Sequence, residues 1–320
     1  MNRAISGIQP SGKLQIGNYF RMMKPAIEMQ KEHETFLFIA DYHALTSVND
    51  PNILKNLIKD AVLDFLACGI NPENVCLYKQ SDVPQVHELS WFLSVLAPMG
   101  LLERCHSYKD KIAKGLDSTH GLFSYPILMA ADILSIEASI VPVGKDQKQH
   151  VEVTRDLAAK FNNIFGEVFR LPNPLINDRV SSIPGIDGQK MSKSYNNVIG
   201  IFESDEILDK KVKKIITDSK NIEDKKDPDS CNIFSLYKLF SNPDEQRELA
   251  NNYYAGGMGY GYAKNILLNK IKQYFEPIRE KRLELESDYD YVEDILKDGA
   301  QKASLIASDV LKNVKAAVGL

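Results

Sequence analysis

The chain has few cysteines and no paired ones: Cys68, Cys76, Cys105 and Cys231 show no two-residue spacing. That excludes a zinc ribbon, an iron–sulfur ligand run and a thioredoxin-like redox pair, and leaves four reduced, mostly buried thiols. Long apolar runs are missing as well. Nowhere do about 18 uninterrupted apolar residues follow one another, and Met1 to Gly7 has no extended apolar stretch. Neither a transmembrane helix nor a secretory signal is expected, so the compartment defaults to the cytoplasm. An excess of positive charge is also absent, since 39 Lys and Arg stand against 43 Asp and Glu for a net charge of -4. No global basic field advertises a nucleic-acid partner, and any RNA contact must be made by local patches. The candidates are Lys210, Lys211, Lys213 and Lys214, then Lys225 and Lys226. The ordinary meaning of such a run is a solvated helix face.

What is present is an ordinary globular composition, 44% hydrophobic and 26% charged. A chain of 320 residues predicts a nucleotide-binding domain of about 200 residues plus a smaller one. A short apolar strand, Ala4 to Ile8, runs into the turn-rich Gln9-Pro10-Ser11-Gly12 and then into a helix from about Gly17. A second strand, Thr35 to Ala40, is apolar after its first residue, as in a parallel sheet covered on both faces. Ile53, Leu54, Leu57, Ile58, Ala61, Phe65 and Leu66 then recur at helical spacing, and Asn74 to Tyr78 supplies a third strand. Helices follow from Pro84 to about Asp132, then a strand from Ile140 to Val143 and a helix from about Asp146 to Phe161. This alternation predicts an α/β fold, a doubly wound Rossmann-like parallel sheet binding ligands beyond the carboxyl ends of its strands. Leu171 to Asn197, with three prolines and three glycines, is too long for a plain connection and is a functional candidate. Beyond about Glu203 no convincing strand follows. Apolar stripes at Ile266 to Ile278 and Val292 to Leu305 predict a C-terminal all-helical domain, giving residues 1–200 and 201–320 as the two domains, the last helix perhaps folding back on the first.

Two segments have phosphate-seeking chemistry. In Gly7-Ile8-Gln9-Pro10-Ser11-Gly12 and Gln15-Ile16-Gly17-Asn18, glycines permit close backbone approach to an anion and a helix N-terminus turns N–H groups toward it. In Lys190-Met191-Ser192-Lys193-Ser194, two lysines and two hydroxyls on a polar loop behind Gly185 and Gly188 can close over a triphosphate. Each alone is weak, because a glycine turn is usually a turn and a Lys/Ser loop is usually surface. Their co-occurrence is far rarer.

Here the chain resembles the class I aminoacyl-tRNA synthetases. Gln15 to Asn18 looks like a variant HIGH motif and Lys190 to Ser194 reads KMSKS in full. Gly7 to Gly12, Tyr125-Pro126, Leu128 to Leu134, Val141 to Gly144 and Asp146 to His150 are similar to the bacterial tryptophanyl-tRNA synthetases within that class. The resemblance implies a ligase that activates L-tryptophan with ATP to tryptophanyl-adenylate and passes it to tRNA(Trp), working as a homodimer. It implies that Gln9, Pro10, Ser11, Gly17 and Asn18 contact ATP, with Gly144, Lys145 and Asp146 at the ribose and Val180 at adenine. Lys190, Met191, Ser192, Lys193 and Ser194 would grip the phosphates, assisted by Lys109 and Lys111, with Mg2+ carried on ATP and no metal ligated by protein. Asp132 would select the amino acid, Met129, Val141 and Val143 would sandwich the indole, and Tyr125, Gln147, His43, Gly7 and Gln9 would complete the pocket.

Chemistry supports Asp132 independently: an indole N–H only donates and a carboxylate only accepts, so phenylalanine would leave a buried acceptor unmet. Its apolar setting, Leu128 to Leu134, makes a merely structural carboxylate costly unless paired. His43 is as readily a satisfied core histidine, and Met129, Val141 and Val143 are residue types found more often in cores than in pockets. Three positions depart from the family pattern: Gln15 in place of Thr or His, Lys145 in place of Glu, and Ile5 where a Phe often caps the indole. A tyrosyl ligase, a small-metabolite nucleotidyltransferase and a non-catalytic relative are the rivals.

Overall fold

A computed structural model describes residues 2–113, 119–144, 147–176 and 183–320, and the side chains of all but four of these, 106, 107, 110 and 111. Strands β1 (Arg3–Ile8), β2 (Glu34–Ile39), β3 (Val75–Lys79), β4 (Ile140–Val143) and β5 (Asn173–Ile176) form one sheet in the order β3-β2-β1-β4-β5. Every pairing is parallel. Helices α1 (Ile16–Asn18) and α2 (Lys24–Met29), joined by a π-turn over Tyr19–Met23, α3 (Asp41–Ala44), α4 (Pro51–Ala67), α5 (Gln85–Leu96), α6 (Met99–Glu103), α7 (His106–Ala113), α8 (His120–Ser135) and α9 (Lys148–Phe165) fill the connections. A second series, α10 (Asp205–Lys213), α11 (Asn232–Tyr237), α12 (Pro243–Ala255), α13 (Tyr260–Ser287) and α14 (Tyr289–Val318), contains no described strand.

The four strands expected from apolar patterning lie where they were expected to within a residue at each end, and β5 is the correction. The stretch from Leu171 was expected to be loop, yet Asn173 to Ile176 pairs with Ile140 to Val143. Pro172 and Pro174 disguise it. Proline lacks the N–H that a central strand must donate, but β5 is the sheet's edge, where one side needs no donor.

Two apolar clusters cover the sheet. One joins Leu14, Ile16 and Leu37 to Ile199, Leu208, Phe234, Leu267, Ile271 and Phe275, so the core runs without a break past residue 200. The other joins Ile5, Phe36 and Tyr78 to Ala130, Val151, Phe161 and, from α14, Ala303, Ala307 and Val310. Helix α14 thus packs back against β3. Gly299 makes this possible, because a Cβ there would stand 1.9 Å from the Leu77 carbonyl oxygen.

The topology also fixes where a ligand can sit. β1 and β4 pair only at Ala4 and Ile140, then diverge toward their carboxyl ends. Chain order reverses at this boundary, the switch point at which open α/β sheets bind ligands.

Candidate active site

The divergence of β1 and β4 opens a cavity of about 580 Å³. Ile5, Ser6 and Gly7 of β1 and Val141, Pro142 and Val143 of β4 form its walls, and α8 crosses it with Tyr125, Met129, Asp132 and Ile133. His43, Gln9, Gly144 and Gln147 complete the lining. All the residues assigned to the tryptophan pocket are therefore brought together. Gly7 is needed here for space, since a Cβ would stand 2.4 Å from the Phe38 ring. Ile5, where the family often has Phe, is buried in the wall.

Asp132 is 3% exposed and fully engaged with its neighbours. Gln80 Nε2 donates to its two oxygens at 2.8 and 2.9 Å, and His43 Nε2 lies 2.9 Å from Oδ2. A carboxylate can only accept, so Nε2 of His43 carries the proton in this contact. Burial pushes the Asp132 carboxyl up, and the hydrogen bonds from His43 and Gln80 pull it back. His43 thus acts through Asp132 while still lining the cavity, which answers its two sequence-based meanings together. Tyr125, expected at the amino-acid head, has its hydroxyl 2.6 Å from Nε2 of the buried His150 on α9.

The phosphate-seeking segments converge beside this cavity. Lys193 Nζ donates to the Ser11 carbonyl at 2.9 Å across 182 residues of sequence. Gly12 lies beneath it at φ +99°, a left-handed backbone suited to glycine, with its missing Cβ 3.4 Å from Nζ. Burial pushes the Lys193 ammonium down, and the charge of Asp64 opposes that push. The two segments are knitted through the backbone: Ile16 N donates to Ile199 O at 2.9 Å and Ile201 N to Leu14 O at 3.1 Å. Met191 is buried against Gly17, whereas Lys190 and Ser194 are exposed and Ser192 half-buried. Asn197, 1% exposed, shapes this loop by accepting from Ser192 N at 2.7 Å and donating to Asp187 and the Lys190 carbonyl.

Gln15 is spent locally. Its Oε1 accepts from Gly17 N at 3.2 Å, capping α1, and its Nε2 donates to Asn18 at 3.3 Å. Pro10, Ser11, Gly17 and Asn18 stand at the loop–helix junction and not in the cavity lining, and Lys109 is exposed on α7, also outside the lining. Lys145, Asp146, Val180 and the side chain of Lys111 lie outside the described residues. Among the described residues no group of three His, Cys, Asp or Glu side chains is placed to hold a metal ion.

Sequence reasoning missed Gln80, Asp64 and Asn197. Gln80 had a signal, being the first residue after β3 at the carboxyl end of a strand. Of the lysine patches, Lys211 is paired with Glu203 and Lys213 with Asp209. Lys226 is buried, donating to the carbonyls of Asn221, Ile222 and Asp224, and is a structural staple.

Comparison with known proteins agrees with this geometry. The chain is 53% identical over 321 residues to a tryptophan–tRNA ligase of Fusobacterium nucleatum, covering 100% of this chain and 98% of that one. It is 49% identical to the corresponding ligase of Rhodopirellula baltica, over 99% of both chains. A crystal structure of tryptophanyl-tRNA synthetase from Campylobacter jejuni complexed with ADP and tryptophan superposes with a TM-score of 0.95 at 49% identity, covering 99% of this chain and 100% of that one. A tyrosyl-tRNA synthetase from Archaeoglobus fulgidus, at 18% identity, shares the fold. The model of the family described as tRNA synthetases class I (W and Y) matches residues 1–276, and the chain belongs to that family.

Proposed function

We infer that this protein is a tryptophan–tRNA ligase, activating L-tryptophan with ATP and transferring it to the 3′ end of tRNA(Trp). The observation that carries this is a buried acceptor, Asp132, in a cavity beside which Lys193 and Ser11 meet at 2.9 Å. Asp132 receives the indole N–H, Met129, Val141 and Val143 enclose the ring, and Tyr125, Gln147 and Gln9 receive the amino-acid head. The tryptophan carboxylate attacks the α-phosphorus of ATP in line. An oxygen–phosphorus bond forms, the bond to the β-phosphate bridge breaks, and pyrophosphate leaves with the electron pair. No protein nucleophile is required. Gln9, Pro10, Ser11, Gly17 and Asn18 position ATP, with Gly144, Lys145 and Asp146 at the ribose and Val180 at adenine. The Lys190 to Ser194 loop, with Lys109 and Lys111, stabilises charge on the departing phosphates, by positioning and preorganised electrostatics. Mg2+ arrives on the ATP phosphates and neutralises part of their charge.

The helical region beyond residue 200 is the tRNA anticodon-recognition part, and the protein works in the cytoplasm. No described helix is long and apolar enough to cross a membrane. Homodimerisation through α5 and α6 is supported by Trp91, Val95 and Met99, which are 68%, 70% and 64% exposed. Such apolar exposure on adjoining turns is what an association surface presents. Tryptophan-dependent exchange of labelled pyrophosphate into ATP tests the central assignment. Exchange driven by tyrosine instead reassigns the substrate, and exchange with no amino acid refutes the ligase.

A further inference from the structure

An ionic cluster lies behind the phosphate-seeking loop, outside the machinery described so far. Arg282 of α13 donates from Nε to Asp64 at 2.8 Å, from Nη2 to Asp60 at 2.5 Å and from Nη1 to Glu286 at 3.3 Å. Its guanidinium also stands 5.0 Å from the Phe202 ring centroid. A planar fork with several fixed donors can hold this arrangement, whereas a lysine ammonium cannot. Asp64, on the buried face of α4, is 4% exposed, a place where a carboxylate persists only when well paired.

Asp60 alone would staple α13 to α4. Asp64 does something more, because the Leu14 backbone N–H stabilises its carboxylate and its charge reaches the Lys193 ammonium. One side chain therefore addresses both partners of the clasp: the end of the loop that carries Ser11, and the lysine that donates to Ser11. One turn earlier on α13, Arg279 Nε donates to the Ile201 carbonyl at 2.7 Å, and Ile201 N in turn donates to Leu14 O. None of the hydrogen bonds to the Asp132 side chain comes from α4 or α13.

We propose that Asp64, clamped by Arg282, is a positioning residue for ATP: it fixes the end of the 9–14 loop and holds Lys193 charged where the phosphates lie. Helix α13 thereby sets the geometry of the ATP subsite without touching the tryptophan subsite. The proposal rests on the ligase assignment. Its test is pyrophosphate exchange by the full chain, wild type against Asp64→Asn and Asp60→Asn, varying ATP and tryptophan in turn, with thermal unfolding of each variant. Asparagine offers one acceptor oxygen to two donors and no charge to Lys193. The ATP KM of Asp64→Asn is expected to rise about tenfold, as for loss of one charge-assisted hydrogen bond, with the tryptophan KM within about twofold of wild type. Asp60→Asn loosens the same helix pair without touching Leu14 and keeps the wild-type ATP KM. Arg282→Lys, which retains charge but loses the fork, repeats the ATP-selective defect if Asp64→Asn is too unstable to assay. Equal rises in both KM values, or an Asp60→Asn defect matching that of Asp64→Asn, overturn the proposal and leave a plain staple. A wild type lacking tryptophan-dependent exchange overturns the ligase assignment and this proposal with it, whereas an active wild type with an unshifted Asp64→Asn overturns the proposal alone.

Discussion

Asp132→Asn separates charge from shape at the centre of the pocket. The carboxylate has about four acceptor positions. Gln80 and His43 make three contacts with it, at 2.8, 2.9 and 2.9 Å, which leaves room for one more donor, the indole N–H. An asparagine of the same outline keeps one acceptor oxygen and turns an NH2 toward a donor. Either the indole or one of the two protein donors then goes unpaired. Loss of a hydrogen bond to a charged group amounts to roughly 1.5–3 kcal/mol, and each 1.4 kcal/mol is about a factor of ten. The kcat/KM for tryptophan in pyrophosphate exchange is therefore expected to fall about 10- to 150-fold, while the ATP KM, set by the distant loop, stays near wild type. Phenylalanine, with no N–H to lose, should fall much less, so discrimination narrows by nearly the whole factor. A tryptophan kcat/KM within about twofold of wild type, or equal losses for both amino acids, would refute the role assigned to Asp132.

Lys193→Ala removes the cation that meets Ser11 and should lower kcat for exchange by roughly a hundredfold, as for loss of one preorganised donor, with the tryptophan KM unchanged; a pure tryptophan KM effect would contradict it. Gly299→Ala forces a methyl group against the Leu77 carbonyl, so overpacking should cost about 1–3 kcal/mol and move the denaturation midpoint down; an unchanged midpoint would mean that α14 does not lie so close to β3. Burial pushes Asp64 up to about 6 against the opposing pull of Arg282, from an ordinary value of 3.8. Between those values the native state holds more proton than the unfolded chain, so this group's contribution to stability is full below pH 3.8 and is lost as pH rises through about 6. The stability of wild type minus that of Asp64→Asn should therefore decline across that window, and a flat or rising difference would disprove the shift.

The legible parts of the molecule were those written in local periodicity or in backbone chemistry. Ile140 to Val143 reads as a strand because its apolar run is short and bounded, and Val292 to Leu305 reads as a helix because its apolar stripe repeats every three or four residues. Strand β5 escaped because its edge position, which tolerates Pro174, is a property of the assembled sheet. Gln80 escaped for a related reason. An isolated glutamine carries no mark of function until Asp132, 52 residues later, is folded against it.

Residue order along the chain was sufficient to specify a parallel α/β sheet, two phosphate-seeking segments and one acidic side chain in apolar surroundings, since glycine, lysine and carboxylate chemistry is local. Folding settled the relations among them: that Lys193 reaches Ser11, that His43 and Gln80 serve Asp132 in place of solvent, and that Arg282 ties a C-terminal helix to the ATP loop. Those contacts span 182, 89, 52 and 218 residues. Hydrogen bonds and desolvation act over a few ångströms, so groups so far apart along the chain acquire their roles only when the packed core brings them within reach.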